Sequence, residues 1–446
     1  MASTYLTRTP SSASNKKTFT FSVWFKLSKV SGDLNLLSNN GASDTRDYIS
    51  LESGKLRVAS YSGGYVYNLY TNRVFRDTSG WYHLVVAFDT TQSTSSNRIK
   101  IYVNGVQETS FNTASYPSQN LDTNYNKTSA FWISRDFNGV DYFYFDGSMS
   151  HLHWIDGTQY DASAFGSTDA TTGEWKINTS PSVTYGTNGF TILKDGNTIT
   201  DQSTNSNNWS LASGTLTKTE DNPSNVFATY NANYQSAQHS ITKGNTEGVG
   251  GNSSWYMRTS SLGASSGKFY AEVKCSNVGG GTGIVGICDL DDCKGYAVVD
   301  SHFGKTAVTP DGRGFAWYSS DGKIYFNDTS TSVFGTWGTN SILMLAMDID
   351  NQRFYIGKDG TWLNSGDPTS GATGTGSVQN WTTSVGGTWT FADALANGCT
   401  MQWNWGNGYF GTTAVSSAGT NASGNGIFEY DVPANFTALS TKGLNL

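Results

Sequence analysis

The chain has 446 residues, which is enough for two or three domains with substantial cores. Charged residues and aromatic residues each make up 14 % of the chain, and its 50 glycines suit short strands joined by many turns. The net charge of −7 argues against nucleic acid and anionic membrane as partners, because the average field of the protein repels both. No segment is long and apolar enough to predict a span through a bilayer.

A strictly alternating run marks the first strong strand pattern, residues 19–28, which read FTFSVWFKLS. Successive side chains of a strand point to opposite faces, so the apolar side of this run is a core face. The other side is polar except for Trp24. That ring is either a platform for stacking on a sugar or a structural ring beneath a crossing segment.

Turn signals separate further strands in the first half of the chain. Ser53-Gly54 lies between two alternating arms, and so does Asn104-Gly105, which is the strongest short hairpin signal in the sequence. No long stretch shows the 3.6-residue apolar period of an amphipathic helix. The sequence therefore predicts an all-β protein.

A fall in apolar density from about residue 157 to residue 225 predicts a domain boundary near Asn225. Strand patterns separated by Gly, Asp and Ser turns begin again after it. Strand spacing of this kind suggests two packed sheets in each half. We therefore expect two tandem antiparallel β-sandwiches, residues 1–225 and residues 226–446.

The cysteines predict buried or free thiols rather than a disulfide framework or a zinc site. Cys275 alternates in phase with the apolar residues of its strand, and Cys288 and Cys293 have no second pair with zinc-finger spacing. Likewise, His151 and His153 share one face of a predicted strand without a third metal ligand nearby. A Ser-His-Asp triad stays open, because its members meet only in space.

Several segments resemble known families. About residues 1–160 resemble laminin-G-like and pentraxin-like jelly rolls of the concanavalin A-like class. The segments that carry this resemblance are FTFSVWFKLS, GWYHLVVAFDTT, IKIYVNGVQ and SHLHWIDGT. SAFGSTDATTGEWKIN, YGTNGFTILKD and DNPSNVFATYN look like the tail of this module in phage virion proteins. The second half is similar to the SPRY module in the segments SSGKFYAEVKC, IVGICD, GKIYFND and ILMLAMDIDNQRFYIGKDGTW. Its last segment, GIFEYDVPANFTALSTKGLNL, is similar to the C-terminal end of phage proteins that carry this module.

This resemblance implies a phage virion surface protein, either a tail fibre that binds the host receptor or a spike that decorates the capsid. The expected partners are other virion proteins of the capsid or tail, and host surface carbohydrate. The N-terminal MASTYLTRTPSSASNKK lacks the apolar core of a signal peptide, so we expect synthesis in the host cytoplasm. We also expect a homo-oligomer, although the chain has no coiled-coil heptads.

Catalysis is not expected. Glucan-cleaving relatives of the concanavalin A-like class carry Glu-x-Asp-x-x-Glu on one strand, and no such segment occurs here. Two alternatives stay open: a polysaccharide depolymerase with carboxylates paired only in space, and a purely structural subunit without a ligand.

Calcium is the one metal that the resemblance suggests, since laminin-G-like proteins often bind it near loop carboxylates. Two predicted loops offer such oxygens, Asp44 and Asp47 in the first, Asp136 and Asp141 in the second. Solvated turn residues are the competing interpretation of the same four carboxylates.

Aromatic residues in predicted loops are the candidate ligand-binding positions, because rings stack on sugars and anchor protein interfaces. They are Tyr61, Tyr65, Tyr67, Tyr70 and Trp362. Trp24 is assigned a structural role instead, because strand connections in this class of jelly roll cross an outer face.

Overall fold

The structure, a computed structural model, describes residues 3–42, 45–139, 142–194, 198–233, 240–293, 301–381 and 387–445. Contacts divide the chain into two compact units, Met1–Lys218 (unit 1) and Thr219–Leu446 (unit 2). Within the described residues, helical structure is limited to short 3₁₀ turns, which are Ser95–Asn97, Ala162–Ala164, Leu363–Ser365, Pro368–Thr373 and Gly443–Asn445. No helix in the described part of the chain is long and apolar enough to cross a membrane.

Unit 1 is built from short strands. In chain order they are β1 (Tyr5–Arg8), β2 (Thr18–Leu27), β3 (Asp33–Ala42), β4 (Thr45–Glu52), β5 (Lys55–Ser62), β6 (Tyr65–Val74), β7 (Tyr82–Asp89), β8 (Ile99–Val103), β9 (Val106–Gln107), β10 (Phe111–Ser115), β11 (Phe131–Ile133), β12 (Arg135–Phe137), β13 (Tyr142–Tyr144), β14 (Gly147–Asp156), β15 (Gly166–Thr168), β16 (Trp175–Ile177), β17 (Phe190–Ile192) and β18 (Ser210–Ser213).

Two sheets of unit 1 enclose one core. Sheet A has the strand order β10-β6-β5-β4-β3-β11-β1-β18, and sheet B has the order β17-β14-β2-β7-β8-β9. Phe21 and Val86 of sheet B and Ile49 and Leu69 of sheet A belong to the same buried apolar cluster. Such packing of two antiparallel sheets is a β-sandwich.

A crossing segment covers the outer face of sheet B. Phe165 and Trp175 of that segment pack with Val85 of β7. Beneath it, the Trp24 ring stacks on His83 with 4.8 Å between centroids and is only 5 % exposed. The structural interpretation of Trp24 is thus confirmed.

Both predicted turn dipeptides of unit 1 have the expected backbone. Ser53 and Gly54 have φ values of 49° and 75°, and Asn104 and Gly105 have φ values of 48° and 80°. Positive φ at two successive residues is what a two-residue hairpin with the natural strand twist requires.

Unit 2 has its own strands. They are β19 (Ser240–Thr242), β20 (Glu247–Val249), β21 (Tyr256–Thr259), β22 (Lys268–Asn277), β23 (Gly283–Asp289), β24 (Gly314–Tyr318), β25 (Lys323–Phe326), β26 (Thr329–Val333), β27 (Ile342–Asp348), β28 (Arg353–Lys358), β29 (Thr361–Trp362), β30 (Gln379–Asn380), β31 (Trp389–Leu395), β32 (Thr400–Asn404), β33 (Tyr409–Phe410), β34 (Thr413–Ala414) and β35 (Thr437–Ala438).

Two sheets of unit 2 again share a core. Sheet C has the order β19-β20-β32-β22-β27-β28-β29, with β30 beside β28 and β35 parallel to β22. Sheet D has the order β21-β31-β23-β24-β25-β26. Val273 and Leu345 of sheet C and Ile287 and Phe391 of sheet D lie in one buried cluster. The prediction of an all-β chain with two tandem sandwiches is confirmed.

The boundary between the units lies before residue 219 rather than at the predicted Asn225. The Glu220 amide donates to the Asn407 carbonyl (3.2 Å), and the Asp221 carboxylate accepts from the Phe227 amide (3.1 Å). Residues 219–225 are therefore fastened to unit 2, which a polar stretch of sequence does not reveal.

Candidate ligand cavity on sheet A

The four predicted binding tyrosines lie on strands and not in a loop, which corrects the prediction. Tyr61 lies near the end of β5, and Tyr65, Tyr67 and Tyr70 belong to β6. Tyr67 points into the core of unit 1, away from the outer face of sheet A, so a ligand on that face does not contact it. Tyr65 is 48 % exposed.

A β-bulge brings Tyr65 to the outer face of sheet A. Ser60 pairs with Tyr67, whereas the next residue, Tyr61, pairs with Tyr65, so β6 has one extra residue at this point. Such a bulge changes the face to which the following side chain points. Without it, Tyr65 and Tyr67 would share the core face.

Arginine side chains lie over these rings on the outer face of sheet A. Arg57 lies 4.4 Å from the centroid of Tyr70 and 5.4 Å from that of Tyr65. Arg46 lies 5.1 Å from the Tyr48 centroid and 5.6 Å from the Tyr61 centroid. Contacts of this kind hold both guanidinium planes and rings in fixed orientations.

A polar cavity of about 170 Å³ opens among these side chains. Its floor is the outer face of β3, β4, β5 and β6, and the β12–β13 hairpin forms one wall. The lining residues are Asp33, Asn35, Arg46, Tyr48, Ser50, Glu52, Arg57, Tyr65, Asp136, Asn138 and Phe143.

Two ion pairs lie in this lining. Arg46 Nε is 3.1 Å from Asp136 Oδ2, and Arg57 Nε is 3.2 Å from Glu52 Oε2. Arg57 also donates to the Tyr65 hydroxyl, which lies 3.5 Å from the Tyr48 hydroxyl. The cavity is thus preorganised by contacts among its own side chains.

Burial changes the proton affinity of the two carboxylates in these pairs. It raises the pKa of Glu52 above the ordinary value, and the nearby Arg57 opposes that shift. It raises the pKa of Asp136 as well, against the opposing charge of Arg46.

Unpartnered polar atoms point to an incomplete hydrogen-bond network at this site. Asn35 is fully buried, and neither its Oδ1 nor its Nδ2 has a hydrogen-bond partner within the described residues. Asp136, only 3 % exposed, has an unpartnered Oδ1. The Nε atoms of Arg46 and Arg57 also lack a hydrogen bond, although each lies beside a carboxylate. Buried polar groups are almost always hydrogen-bonded, so these five atoms favour an additional polar partner at this site.

Part of the lining of this cavity follows the alternation of β4. Arg46, Tyr48, Ser50 and Glu52 occupy every second position of TRDYISLE, opposite the core residues Ile49 and Leu51. This alternation is also that of an ordinary solvated face, so it predicts the outward direction of these side chains and not the cavity itself.

Trp362 is a packing residue in the structure. It lies half-buried on β29, and its ring packs edge-on against the buried Tyr270 with 6.2 Å between centroids. It belongs to the margin of a core cluster of unit 2 and does not line the cavity on sheet A.

The proposed calcium ligands do not converge in the described residues. Asp47 points into unit 1 and is fully buried, where it accepts hydrogen bonds from the Asn124 amide (2.6 Å) and side chain (3.0 Å). Asp136 instead pairs with Arg46 on the other face of sheet A. Asp44 and Asp141 lie outside the described residues, and those described contain no group of three metal-ligating side chains. Calcium binding stays a prediction.

A serine–histidine pair is present, although it is sealed beneath the crossing segment of unit 1. Ser22 Oγ lies 2.9 Å from His83 Nε2, and Trp175 Nε1 donates to His83 Nδ1 at 3.0 Å. Burial lowers the pKa of His83 to about 3, so the ring is neutral. A triad would need a carboxylate where Trp175 stands.

All four cysteines are free thiols, and Cys275, Cys288 and Cys399 are buried. The prediction of buried or free thiols is thereby confirmed.

Comparison with known proteins bears on the fold. Residues 2–163 match the model of a family described as the concanavalin A-like lectin/glucanases superfamily, Laminin_G_3. Comparison with curated protein sequences found no match.

Solved SPRY domains are among the similar structures. The SPRY domain of human HERC1 is 12 % identical, with 37 % of this chain and 93 % of that chain covered and a TM-score of 0.28. The PSpry domain of TRIM65 is 10 % identical, with 40 % and 91 % covered and a TM-score of 0.29. A human SPRY domain is 13 % identical, with 35 % of this chain and 90 % of that chain covered and a TM-score of 0.25.

The family match supports the prediction that residues 2–163 have the concanavalin A-like fold.

Proposed function

We propose that this chain is a non-enzymatic binding protein on the surface of a bacteriophage particle, a tail fibre or a capsid-decorating spike. Unit 1 holds the target in the cavity on sheet A, and the target is host surface glycan or another virion protein. The observation that carries the proposal is the fully buried, unpartnered amide of Asn35 in that cavity. The bacteriophage setting rests on the resemblance of the sequence segments quoted above.

The side chains of the cavity suit recognition. Tyrosine and arginine are enriched at binding hot spots because they bury large areas and form directed polar contacts. Here the contact of Arg57 with Tyr65 holds both side chains in place before a ligand arrives. A ligand then meets a prepared surface, which lowers the ordering cost of binding.

A polysaccharide depolymerase is the second candidate, because the cavity brings carboxylates together. Glu52 and Asp136 both line it, and burial raises the pKa of each. Glycosidases use one carboxylic acid of raised pKa and one carboxylate. Against this candidate, each carboxylate is paired with an arginine, which favours the ionised form in both.

Tyr65→Ala in the full chain tests the binding proposal. We expect it to reduce binding to a glycan array, or to purified virions, by about tenfold, since removing a hot-spot ring typically costs more than 1 kcal/mol. Val106→Ala is the control, because Val106 is 63 % exposed on β9 of sheet B and does not line the cavity. The control should bind as the unchanged chain does.

Polysaccharide turnover separates the two candidates. The binding protein should release no reducing ends from any glycan that it retains. Turnover that Glu52→Gln and Asp136→Asn both abolish would replace the binding proposal with the depolymerase.

A further inference from the structure

We infer that the cavity on sheet A takes a single uncharged sugar ring, whose neighbouring hydroxyl groups bond to Asn35 and Asp136. This inference rests on the proposed function, and of its two targets it takes the host surface glycan rather than another virion protein.

The unpartnered atoms define the chemistry of the ligand. Asn35 offers one acceptor, Oδ1, and donors on Nδ2, and Asp136 Oδ1 offers a further acceptor. A ligand that satisfies all three must both donate and accept hydrogen bonds within a small volume. Adjacent hydroxyls on a ring do so, because each hydroxyl carries one donor and two acceptor lone pairs.

The charges of the lining argue for an uncharged ligand. Arg46 is paired with Asp136 and Arg57 with Glu52, and Asp33 adds a third carboxylate at the exposed margin. An acidic sugar would bring its carboxylate to a site whose two guanidinium groups are already paired. A neutral sugar meets no such repulsion.

The size and the apolar surfaces of the cavity suit one ring. Its volume of about 170 Å³ is below the roughly 300–1,000 Å³ of sites for drug-sized ligands. Phe143 and Tyr65 supply aromatic surface in the same lining. The C–H face of a sugar ring packs on such surfaces while its hydroxyls face the polar groups.

Binding of single sugars to the full chain provides the test. The probes are glucose, galactose, mannose and N-acetylglucosamine, with glucuronate and N-acetylneuraminate as the acidic set, measured by ligand-observed NMR. At least one neutral sugar should bind, and each acidic sugar should bind at least about tenfold more weakly than that sugar.

Asn35→Leu should weaken binding of the neutral sugar by about tenfold or more, because the sugar loses its hydrogen bonds to the amide. It should also raise the melting temperature of the free protein, since a buried amide without partners is destabilising. Asp136→Asn keeps the shape of the side chain but replaces the charged carboxylate acceptor by a weaker amide oxygen, so it should weaken binding as well. Asn407→Leu is the control, since Asn407 of unit 2 also has a buried unpartnered amide oxygen but is outside the cavity.

Two results would overturn the inference while the proposed function survives. One is tighter binding of the acidic sugars, and the other is unchanged sugar binding in Asn35→Leu and Asp136→Asn while Tyr65→Ala abolishes it. If no glycan binds and Tyr65→Ala leaves attachment to virions unchanged, the proposed function and the inference both fail.

Discussion

Glu272 of β22 fastens the C-terminal segment of unit 2 to sheet C. Its carboxylate accepts hydrogen bonds from the backbone amides of Glu429 and Tyr430, both at 2.8 Å, and from the Tyr270 hydroxyl at 2.9 Å. Burial nevertheless raises the pKa of Glu272 to about 7. Desolvation of the charge therefore outweighs the hydrogen bonds that the carboxylate accepts.

The raised pKa of Glu272 predicts that stability falls as pH rises. Between the ordinary pKa of about 4.5 and the folded pKa of about 7, the folded state binds a proton that the unfolded state has released. The free energy of unfolding should thus decrease by about 3 kcal/mol across this window and change no further from this group above pH 8. Urea unfolding of unit 2 between pH 4 and pH 8 measures the change.

Glu272→Gln should flatten this part of the pH profile, because a neutral amide does not titrate. Glu174→Gln removes an exposed carboxylate of unit 1 and should leave the slope intact. A slope that persists in Glu272→Gln would show that another group causes it.

Gly105 meets two requirements at once, a positive φ and a close approach. Its φ is 80°, and a methyl group on its Cα would collide with the ring of Trp175. Gly63 shares the first requirement with a φ of 67°, but open space surrounds it. Substitutions at the two glycines, compared with each other, therefore separate the free-energy cost of backbone strain from the cost of steric crowding.

Gly105→Ala should destabilise unit 1 more than Gly63→Ala does. Gly63→Ala should cost about 1 kcal/mol for the left-handed backbone alone. Gly105→Ala should cost about 1–3 kcal/mol more, because the Trp175 ring must move from its place over His83. Equal costs in denaturant unfolding would contradict a role for crowding at the Trp175 ring.

Strands β21 and β31 of sheet D are joined by a buried ion pair. Arg258 Nε lies 3.1 Å from Asp393 Oδ1, with both side chains almost fully buried. Asp393 also accepts hydrogen bonds from the Tyr230 hydroxyl and from Trp403 Nε1. The carboxylate thus connects sheet D with β32 of sheet C.

Arg258→Met should destabilise unit 2 by about 3–5 kcal/mol, since it leaves the Asp393 carboxylate buried without its cation. Lys16→Met is the control, because the Lys16–Asp122 pair of unit 1 is partly exposed, and it should change stability by less than about 1 kcal/mol. The comparison uses the midpoint and slope of urea unfolding. A loss below 1 kcal/mol in Arg258→Met would mean that the remaining hydrogen bonds of Asp393 compensate.

At the scale of strands, alternation predicted the faces correctly wherever the ladder is regular. In β2 the odd-numbered residues from Phe19 to Leu27 lie in the core as expected. Alternation fails at the bulge between β5 and β6, because an extra residue there shifts Tyr65 to the outer face. The position of a bulge depends on pairing with a distant strand, so local sequence does not reveal it.

At the scale of the whole chain, composition and turn chemistry sufficed for the fold class, whereas the cavity depended on long-range pairing. Asn35 is an ordinary polar residue between leucines, and only the approach of Asp136, about a hundred positions later, places it in a shared cavity. The prediction of calcium ligands named Asp136 but not its partners in the cavity, for the same reason.

The boundary before residue 219 predicts the behaviour of fragments. A fragment of residues 219–446 should melt at a higher temperature than one of residues 226–446, because the shorter fragment loses the hydrogen bonds of Glu220 and Asp221 to the rest of unit 2. Each lost hydrogen bond is worth about 0.5–1.5 kcal/mol. Equal melting temperatures by circular dichroism would place the boundary at Asn225 after all.

The small volume of the cavity on sheet A limits how strongly one copy could hold its target. If a sugar ring of about a dozen non-hydrogen atoms gained only the roughly 0.3 kcal/mol per atom that drug-sized ligands reach, it would bind with about 4 kcal/mol, which is a millimolar dissociation constant. Lasting attachment would then require many copies to engage one surface together, since tethering multiplies weak contacts into avidity. An array of such copies would then stay attached while each single contact breaks and re-forms independently of the others.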